Sequence, residues 1–218
     1  MADNGQSAYE LALEKNPDLI VTDLVMPRLT GDELCRRIKG AVETSHIPVI
    51  LLTAMGEKES IILGLEAGAD DYIVKPFDMA VLRARIRNLF KQRSQLQAAI
   101  VMDKVEEEGA EFGNELDRRF MKKVQAVVGA HLSDADFQVA DLCKEMAMSR
   151  SSFFNKLKSL TGVGPNDYIR IFRLNRAHEL LLQHTQSIAE VADAVGFSDA
   201  KYFSVCFKKQ FGVSPSRV

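Results

Sequence analysis

Residues 188–215 read IAEVADAVGFSDAKYFSVCFKKQFGVSP, and a related pattern occurs once earlier in the chain. The first apolar residues of this stretch have the spacing i, i+3, i+4, i+7 of a helix that buries one face. They are Ile188, Val191, Ala192 and Val195, and their counterparts 49 residues earlier are Val139, Leu142, Cys143 and Met146. A short turn and a second apolar helical pattern follow each set. Each copy therefore predicts a helix, a tight turn and a second helix.

The two turns are similar but unequal. They end in Ser149 and Ser198, which we expect to cap the helices that follow. Beyond the turns the copies correspond at an offset of 50 residues, so that Phe153 pairs with Phe203. We therefore expect the second turn to be one residue longer than the first.

The second helix of such a unit enters the major groove of DNA, so its outward residues are candidates for base contacts. At 100° per residue, with Phe153 and Leu157 inward, the candidates of the first copy are Arg150, Ser151, Ser152, Phe154, Asn155 and Lys158. The candidates of the second copy are Lys201, Ser204, Val205 and Lys208. Asn suits adenine, Lys suits guanine or phosphate, and Val suits a thymine methyl group. For any single residue, a solvated helix face is the alternative interpretation.

One helix is predicted between the two copies, over Asn166–Gln183. About 18 residues span roughly 27 Å, close to the 34–36 Å that separates successive major grooves. Arg170, Arg173 and Arg176 recur along it at every third position. They are candidates for contact with the DNA backbone, with a solvated stripe as the alternative.

Residues 116–218 resemble the AraC-type DNA-binding domain. The resemblance rests on Met148–Ser151, Leu160–Gly162, Arg173–Ala177, Ile188–Ala192, Val195–Ser198, Tyr202–Phe203 and Phe207–Pro215. It implies an all-α tandem helix-turn-helix domain that regulates transcription from double-stranded promoter DNA. RNA polymerase and a second copy of the chain are further candidate partners.

The first 93 residues alternate continuous apolar runs with helical patterns, which predicts an α/β fold with a parallel sheet. The runs are Asp18–Leu24, Ile47–Thr53 and Tyr72–Val74. The helical segments are Ser7–Lys15, Asp32–Lys39, Lys58–Ala67 and Met79–Gln92. Residues 94–115 are interpreted as a hydrated linker whose first part can continue the preceding helix, and residues 116–218 as the second domain.

Three polar residues close these apolar runs: Asp23, Thr53 and Lys75. Strand ends of a parallel sheet meet at one edge, where a carboxylate, a hydroxyl and an ammonium suit phosphoryl transfer. Taken singly, each of the three is also an ordinary strand-end residue.

This half resembles a response regulator receiver domain, with the doubly wound flavodoxin-like fold. The matching stretches are Asp18–Pro27, Gly31, Pro48–Ala54 and Gly64–Phe77. The resemblance implies Asp23 as phospho-acceptor, Thr53 and Tyr72 as switch residues and Lys75 as phosphate-binding. It also implies Mg²⁺ as cofactor, with Asp23 and the carbonyl of Val25 as ligands, and a histidine kinase, or the kinase part of a hybrid sensor, as partner.

The start of the receiver pattern differs from the family. The chain opens at Ala2-Asp3-Asn4-Gly5, which corresponds to the turn after the second receiver strand. The acidic pair of the first strand is absent, so we expect weak Mg²⁺ binding and inefficient phosphorylation of this chain. We also expect the strand at Leu19–Leu24 to be an open, adhesive edge. The architecture is similar to the C-terminal end of hybrid two-component sensors.

The charge is divided unevenly along the chain. Residues 1–115 hold 13 Lys and Arg against 20 Asp and Glu, and residues 116–218 hold 15 against 10. The basic half fits a phosphate-rich partner. The three cysteines show no disulfide or metal-ligand pattern and no apolar run is long enough for a membrane span, so a cytoplasmic protein is expected.

Two other functions are considered. One is a phosphorylation-independent fragment or receiver-based interaction module, with constitutive or vestigial DNA binding; the outward lysines and Asn155 argue against vestigial binding. The other is an enzyme, an aspartyl-phosphate phosphatase of the haloacid dehalogenase type. Such an enzyme needs a second Asp two residues after Asp23, where Val25 stands, so no enzymatic activity is expected.

Overall fold

The computed structural model describes residues 1–54, 66–102 and 112–218. The N-terminal elements are α1 (Gly5–Lys15), β1 (Ile20–Asp23), α2 (Gly31–Gly40), β2 (Val49–Ala54), β3 (Asp71–Lys75) and α3 (Met79–Val101). The C-terminal elements are α4 (Glu115–Ala130), α5 (Val139–Glu145), α6 (Arg150–Thr161), α7 (Pro165–Leu182), α8 (Ile188–Ala194), α9 (Ala200–Phe211) and a 3₁₀ turn (Pro215–Arg217).

The described residues divide into two compact units. The N-terminal unit comprises residues 1–54, 66–97 and 112–120, and the C-terminal unit comprises residues 98–102 and 121–218. Within the described ranges, no helix is both long enough and apolar enough to cross a membrane.

The three apolar runs form a parallel sheet, as the sequence predicts. The strand order in the described part of the chain is β1-β2-β3, with Ile20 opposite Val49 and Ile50 opposite Asp71. The central strand β2 is buried on both faces, because Val49, Ile50 and Leu51 are all at most 2% exposed. Burial on both sides explains why this run is apolar without alternation. β1 lies at one edge of this sheet, as expected for the strand predicted at Leu19–Leu24.

The helices α1 and α2 pack together over the sheet. Leu34, Cys35 and Ile38 on α2 are completely buried and share a core with Ala12 of α1 and Leu51 of β2. Burying a side chain of the size of Leu or Ile contributes about 1.5–3 kcal/mol. This core therefore holds the helices against the strands whose ends carry the candidate polar residues.

The helix that begins at Met79 is longer than predicted. The segment predicted over Met79–Gln92 continues to Val101, because Ala99 and Ile100 are buried near its end. The first residues of the predicted linker are therefore helical, whereas its residues 103–111 lie outside the described residues. Most of the helix predicted over Lys58–Ala67 also falls outside them.

The C-terminal unit contains the predicted repeat. The helix pairs α5–α6 and α8–α9 are joined by turns of residues 146–149 and 195–199, so the second turn is one residue longer, as predicted. Phe153 and Leu157 of α6 and their counterparts Phe203 and Phe207 of α9 are completely buried.

The helix caps of the two copies differ. The side chain of Ser149 accepts a hydrogen bond from the backbone N–H of Ser152, which confirms it as the cap of α6. The prediction for Ser198 is wrong: α9 begins at Ala200, and Asp199 accepts hydrogen bonds from the N–H groups of Lys201 and Tyr202. The extra residue of the second turn moves the cap by one position.

Candidate functional site

Two of the candidate residues in the N-terminal unit form an ion pair. Asp23 is the last residue of β1 and Lys75 the last residue of β3, and the distance from Lys75 Nζ to Asp23 Oδ1 is 2.6 Å. Their side chains are 46% and 44% exposed. An ion pair so open to water contributes at most about 1 kcal/mol to stability. The pair therefore leaves a carboxylate and an ammonium side by side at an accessible sheet edge.

The other candidates lie on neighbouring strands or loops. Thr53 is 3% exposed and precedes Ala54, so the strand ends one residue later than expected. Tyr72 lies in β3 and packs its half-buried ring against the N-terminal core. Val25, in the loop after β1, has an exposed side chain. Within the described residues, neither Thr53 nor Tyr72 hydrogen-bonds to Asp23 or Lys75.

Gly31 fixes the backbone next to Asp23. Its N–H donates to the carbonyl of Leu24 at 2.8 Å, which closes the loop between β1 and α2. A Cβ atom at this position would lie 2.2 Å from the carbonyl oxygen of Asp23. Only glycine permits this approach. In the sequence Gly31 was one element of the receiver resemblance, and no local signal there indicated this contact.

The structure places the six candidates of the first helix-turn-helix copy at the surface of α6. Five are exposed, namely Arg150, Ser151, Phe154, Asn155 and Lys158, and Ser152 is half-buried. The Lys158 ammonium lies 5.7 Å from the centre of the Phe154 ring, within the range of a cation–π contact. The outward surface of α6 therefore combines an amide, hydroxyls and two cations around one aromatic ring.

The candidates of the second copy lie on α9. Lys201, Val205 and Lys208 are exposed, and Val205 at 67% is far more open than an apolar side chain of a packed helix. Ser204 is half-buried, and its hydroxyl donates to the carbonyl of Ala200 at 2.9 Å.

Sequence reasoning missed Tyr202, which is 54% exposed in the first turn of α9. In the sequence, Tyr202 stands out only as the neighbour of Phe203 in the AraC-type motif. Its spacing of three residues from Val205 places both on one side of the helix, and that spacing was the signal available in the sequence.

The arginine stripe of α7 is not a uniform surface. Arg170 pairs with Asp167 and Arg176 pairs with Glu179, both at the surface. Arg173 is only 8% exposed, and burial lowers its pKa although Asp134 opposes this effect. The expectation of surface contact is therefore wrong for Arg173.

Arg173 instead joins three backbone segments. Its guanidinium donates to the carbonyl oxygens of Gly196 at 3.1 Å, His131 at 3.5 Å and Asp134. It therefore ties the turn before α9 to the loop after α4, and holds the second reading helix in place.

Comparison with known proteins identifies both halves. The sequence model of the response regulator receiver domain matches residues 1–87, and that of a helix-turn-helix domain matches residues 142–218. The two matches do not overlap and together cover most of the chain.

Several proteins are similar to this chain. Histidine kinase P4 of Formosa agariphila is 38% identical over 99% of the chain, which corresponds to 16% of that protein. Transcriptional regulatory protein CusR of Escherichia coli is 42% identical over 47% of each protein. The C-terminal domain of AraT, a response regulator from Geobacillus stearothermophilus, is 28% identical over 45% of this chain and 81% of that structure, with a TM-score of 0.42. The chain thus spans less than half the length of these two curated relatives. It carries a response regulator receiver domain followed by a helix-turn-helix domain of the AraC type.

Proposed function

We propose that this chain is a sequence-specific, DNA-binding transcription regulator of a two-component system, in which the receiver controls the helix-turn-helix domain. The observation that carries the proposal is the pair of exposed, chemically different surfaces on α6 and α9. Both helices bury a phenylalanine at the equivalent positions Phe153 and Phe203, whereas their outward positions 155 and 205 carry different side chains.

Equivalent positions of the two surfaces favour different bases. Asn155 on α6 corresponds to Val205 on α9, and an amide suits adenine whereas a branched apolar side chain suits the methyl group of thymine. Ser151 corresponds to Lys201, which adds a positive charge to the second surface. We therefore propose that the two units bind two different half-sites.

The length of α7 supports simultaneous binding. Its 18 residues extend for about 27 Å, on the scale of one turn of DNA. One chain can then reach two successive major grooves without a partner copy.

Selection of bound sequences from a random duplex pool tests this proposal. We expect Asn155→Ala to relax the preference in one half-site and Lys201→Ala in the other, each at a cost of about 1–3 kcal/mol for the affected base pair. Lys123→Ala on α4 is the matched control, because it removes one exposed charge outside the two surfaces. Identical preferences in wild type, N155A and K201A would contradict the assignment of the reading surfaces.

We further propose Asp23 as the phospho-acceptor. Its carboxylate is accessible, and the neighbouring Lys75 ammonium can neutralise charge on a phosphoryl group. Thr53 and Tyr72 are proposed to respond to that group, and a histidine kinase is proposed as its donor. Incubation with acetyl phosphate, followed by mass spectrometry, tests this. Because the Mg²⁺ ligands are incomplete, we expect one phosphoryl group on a minor fraction of the wild type and none on Asp23→Asn. Equal labelling of both proteins would refute it.

Receiver domains as a family use Mg²⁺ in this chemistry. Mg²⁺ requires about six oxygen ligands, commonly with one or two carboxylates. Around Asp23 the described residues offer one carboxylate, already paired with Lys75, and the carbonyl of Val25; they contain no cluster of three or more acidic, His or Cys ligands. These residues by themselves do not fit a complete Mg²⁺ site, so no step is assigned to the ion.

A further inference from the structure

A pocket of about 300 Å³ lies between the start of α7 and the start of α9, outside the two reading surfaces. The polar side chains of its lining are Asn166, Arg170, Arg173, Ser198 and Tyr202. All five can donate hydrogen bonds, and no Asp or Glu belongs to the lining. A concave site with two guanidinium groups and neutral donors suits an oxyanion.

The base of the pocket carries a buried positive charge. Arg173 is more than nine-tenths buried, it donates only to backbone carbonyls, and its Nε has no hydrogen-bond partner within the described residues. Asp134 raises the pKa of Arg173, but the two side chains form no ion pair within the described residues. A cation buried without a paired carboxylate is costly, and an incoming anion reduces that cost.

The rim of the pocket is open and can adjust. Arg170 is paired with Asp167 at 2.5 Å, and the two side chains are 39% and 51% exposed. Such a surface pair is weak, so Arg170 can turn toward a stronger anion. Cys206 raises the pKa of the Tyr202 hydroxyl and Arg170 opposes this effect, and the Tyr202 side chain is exposed.

The location of the pocket identifies the anion. Tyr202 follows Lys201 on α9, and Arg170 belongs to the helix that joins the two helix-turn-helix copies. DNA that receives α9 in its major groove carries its phosphates past the first turn of that helix. We infer that this pocket binds one backbone phosphate of the DNA between the two half-sites, through Arg170 and Tyr202, above the fixed charge of Arg173.

This inference rests on the proposed DNA-binding function and adds a contact that is independent of base sequence. The salt dependence of duplex binding by the full chain tests it. Loss of one phosphate contact lowers the slope of log K against log salt by about 0.9. For Arg170→Ala, the ratio of wild-type to variant affinity should therefore fall about 3.5-fold between 50 and 200 mM salt. Tyr202→Phe, which retains the ring, should weaken duplex binding by a similar factor at both salt concentrations, because the neutral hydroxyl releases no counterion.

Lys123→Ala is the matched control, since Lys123 is an exposed cation on α4 that lines neither this pocket nor either reading surface. We expect it to retain the wild-type slope, and we expect all three variants to retain the wild-type base preference. A wild-type slope in R170A together with wild-type affinity in Y202F, with normal thermal unfolding, overturns the inference while leaving the proposed function intact. An Arg170-dependent stabilisation by inorganic phosphate with an unchanged DNA slope also overturns it, because the pocket would then hold a free anion. Salt-independent duplex binding by the wild type would refute both proposals.

Discussion

Gly196 and Gly212 have the same backbone conformation in different surroundings. Their φ angles are +75° and +76°, in the left-handed region that side chains disfavour. A Cβ atom at Gly196 would lie 2.6 Å from the carbonyl oxygen of Leu132 and 2.9 Å from Cζ of Arg173. A Cβ atom at Gly212 would meet nothing within 4 Å. Both Gly→Ala substitutions therefore force alanine into the left-handed conformation, and only Gly196→Ala adds a steric clash with neighbouring atoms.

The difference between the two variants has a definite expected size. Alanine in the left-handed conformation costs about 1 kcal/mol, which is the whole effect expected for Gly212→Ala. In Gly196→Ala the guanidinium of Arg173 must also move away from the Gly196 carbonyl, to which it donates at 3.1 Å. A buried hydrogen bond from a charged donor is worth about 1.5–3 kcal/mol. We therefore expect Gly196→Ala to lower the free energy of unfolding by about 2.5–4 kcal/mol.

Hydrogen–deuterium exchange of the full chain measures this difference locally. Peptides from α7 and α9 report the free energy of opening of the C-terminal unit, independently of the N-terminal unit. Exchange in those peptides should accelerate by about 70- to 900-fold in Gly196→Ala and by about tenfold or less in Gly212→Ala. Equal acceleration in the two variants would refute the argument, because the Leu132 and Arg173 contacts would then carry no energy.

Other contacts in both units also have measurable consequences. Ala147 is the counterpart of Gly196 in the first turn, and its φ of 54° is unfavourable for a side chain. Ala147→Gly should therefore stabilise the protein by about 0.5–1 kcal/mol in thermal unfolding. In Gly31→Ala the new Cβ would lie 2.2 Å from the carbonyl oxygen of Asp23. This clash should destabilise the N-terminal unit by more than about 2 kcal/mol, as overpacking of a core does. Unchanged resistance to limited proteolysis would contradict this. Iodoacetamide at pH 8 should modify Cys206 before Cys35, which is buried. Burial raises the pKa of Cys35 to about 11 and keeps its thiol protonated at this pH. Simultaneous labelling of the two cysteines would contradict this order.

Features with a regular period could be predicted from the sequence. The unbroken apolar run at Val49–Leu51 predicted a buried parallel strand, and β2 has this character because sheet and helices cover both its faces. The repeat predicted the two helix-turn-helix copies, because each helix must bury one stripe of residues such as Phe153 and Phe203. The surface candidates on α6 and α9 follow from the same geometry, since the residues opposite a buried stripe face solvent.

Features that depend on distant backbone could not be predicted. Arg173 shares its three-residue spacing with Arg170 and Arg176, yet it is buried because the carbonyl groups of residues 131, 134 and 196 converge on it. The Ser198 prediction failed because Ser and Asp are both good caps, and only the length of the turn decides between Ser198 and Asp199.

Arg173 connects the stability of the second turn to the proposed phosphate contact. The same guanidinium that holds the Gly196 carbonyl also supplies the fixed charge beneath Arg170 and Tyr202. A substitution that displaces it should therefore alter two measurements together. Gly196→Ala should reduce the salt slope of DNA binding under conditions where the protein is still folded, whereas Gly212→Ala should reduce stability alone. A folded Gly196→Ala protein with the wild-type slope would show that Arg173 stabilises the turn and does not contribute to phosphate binding.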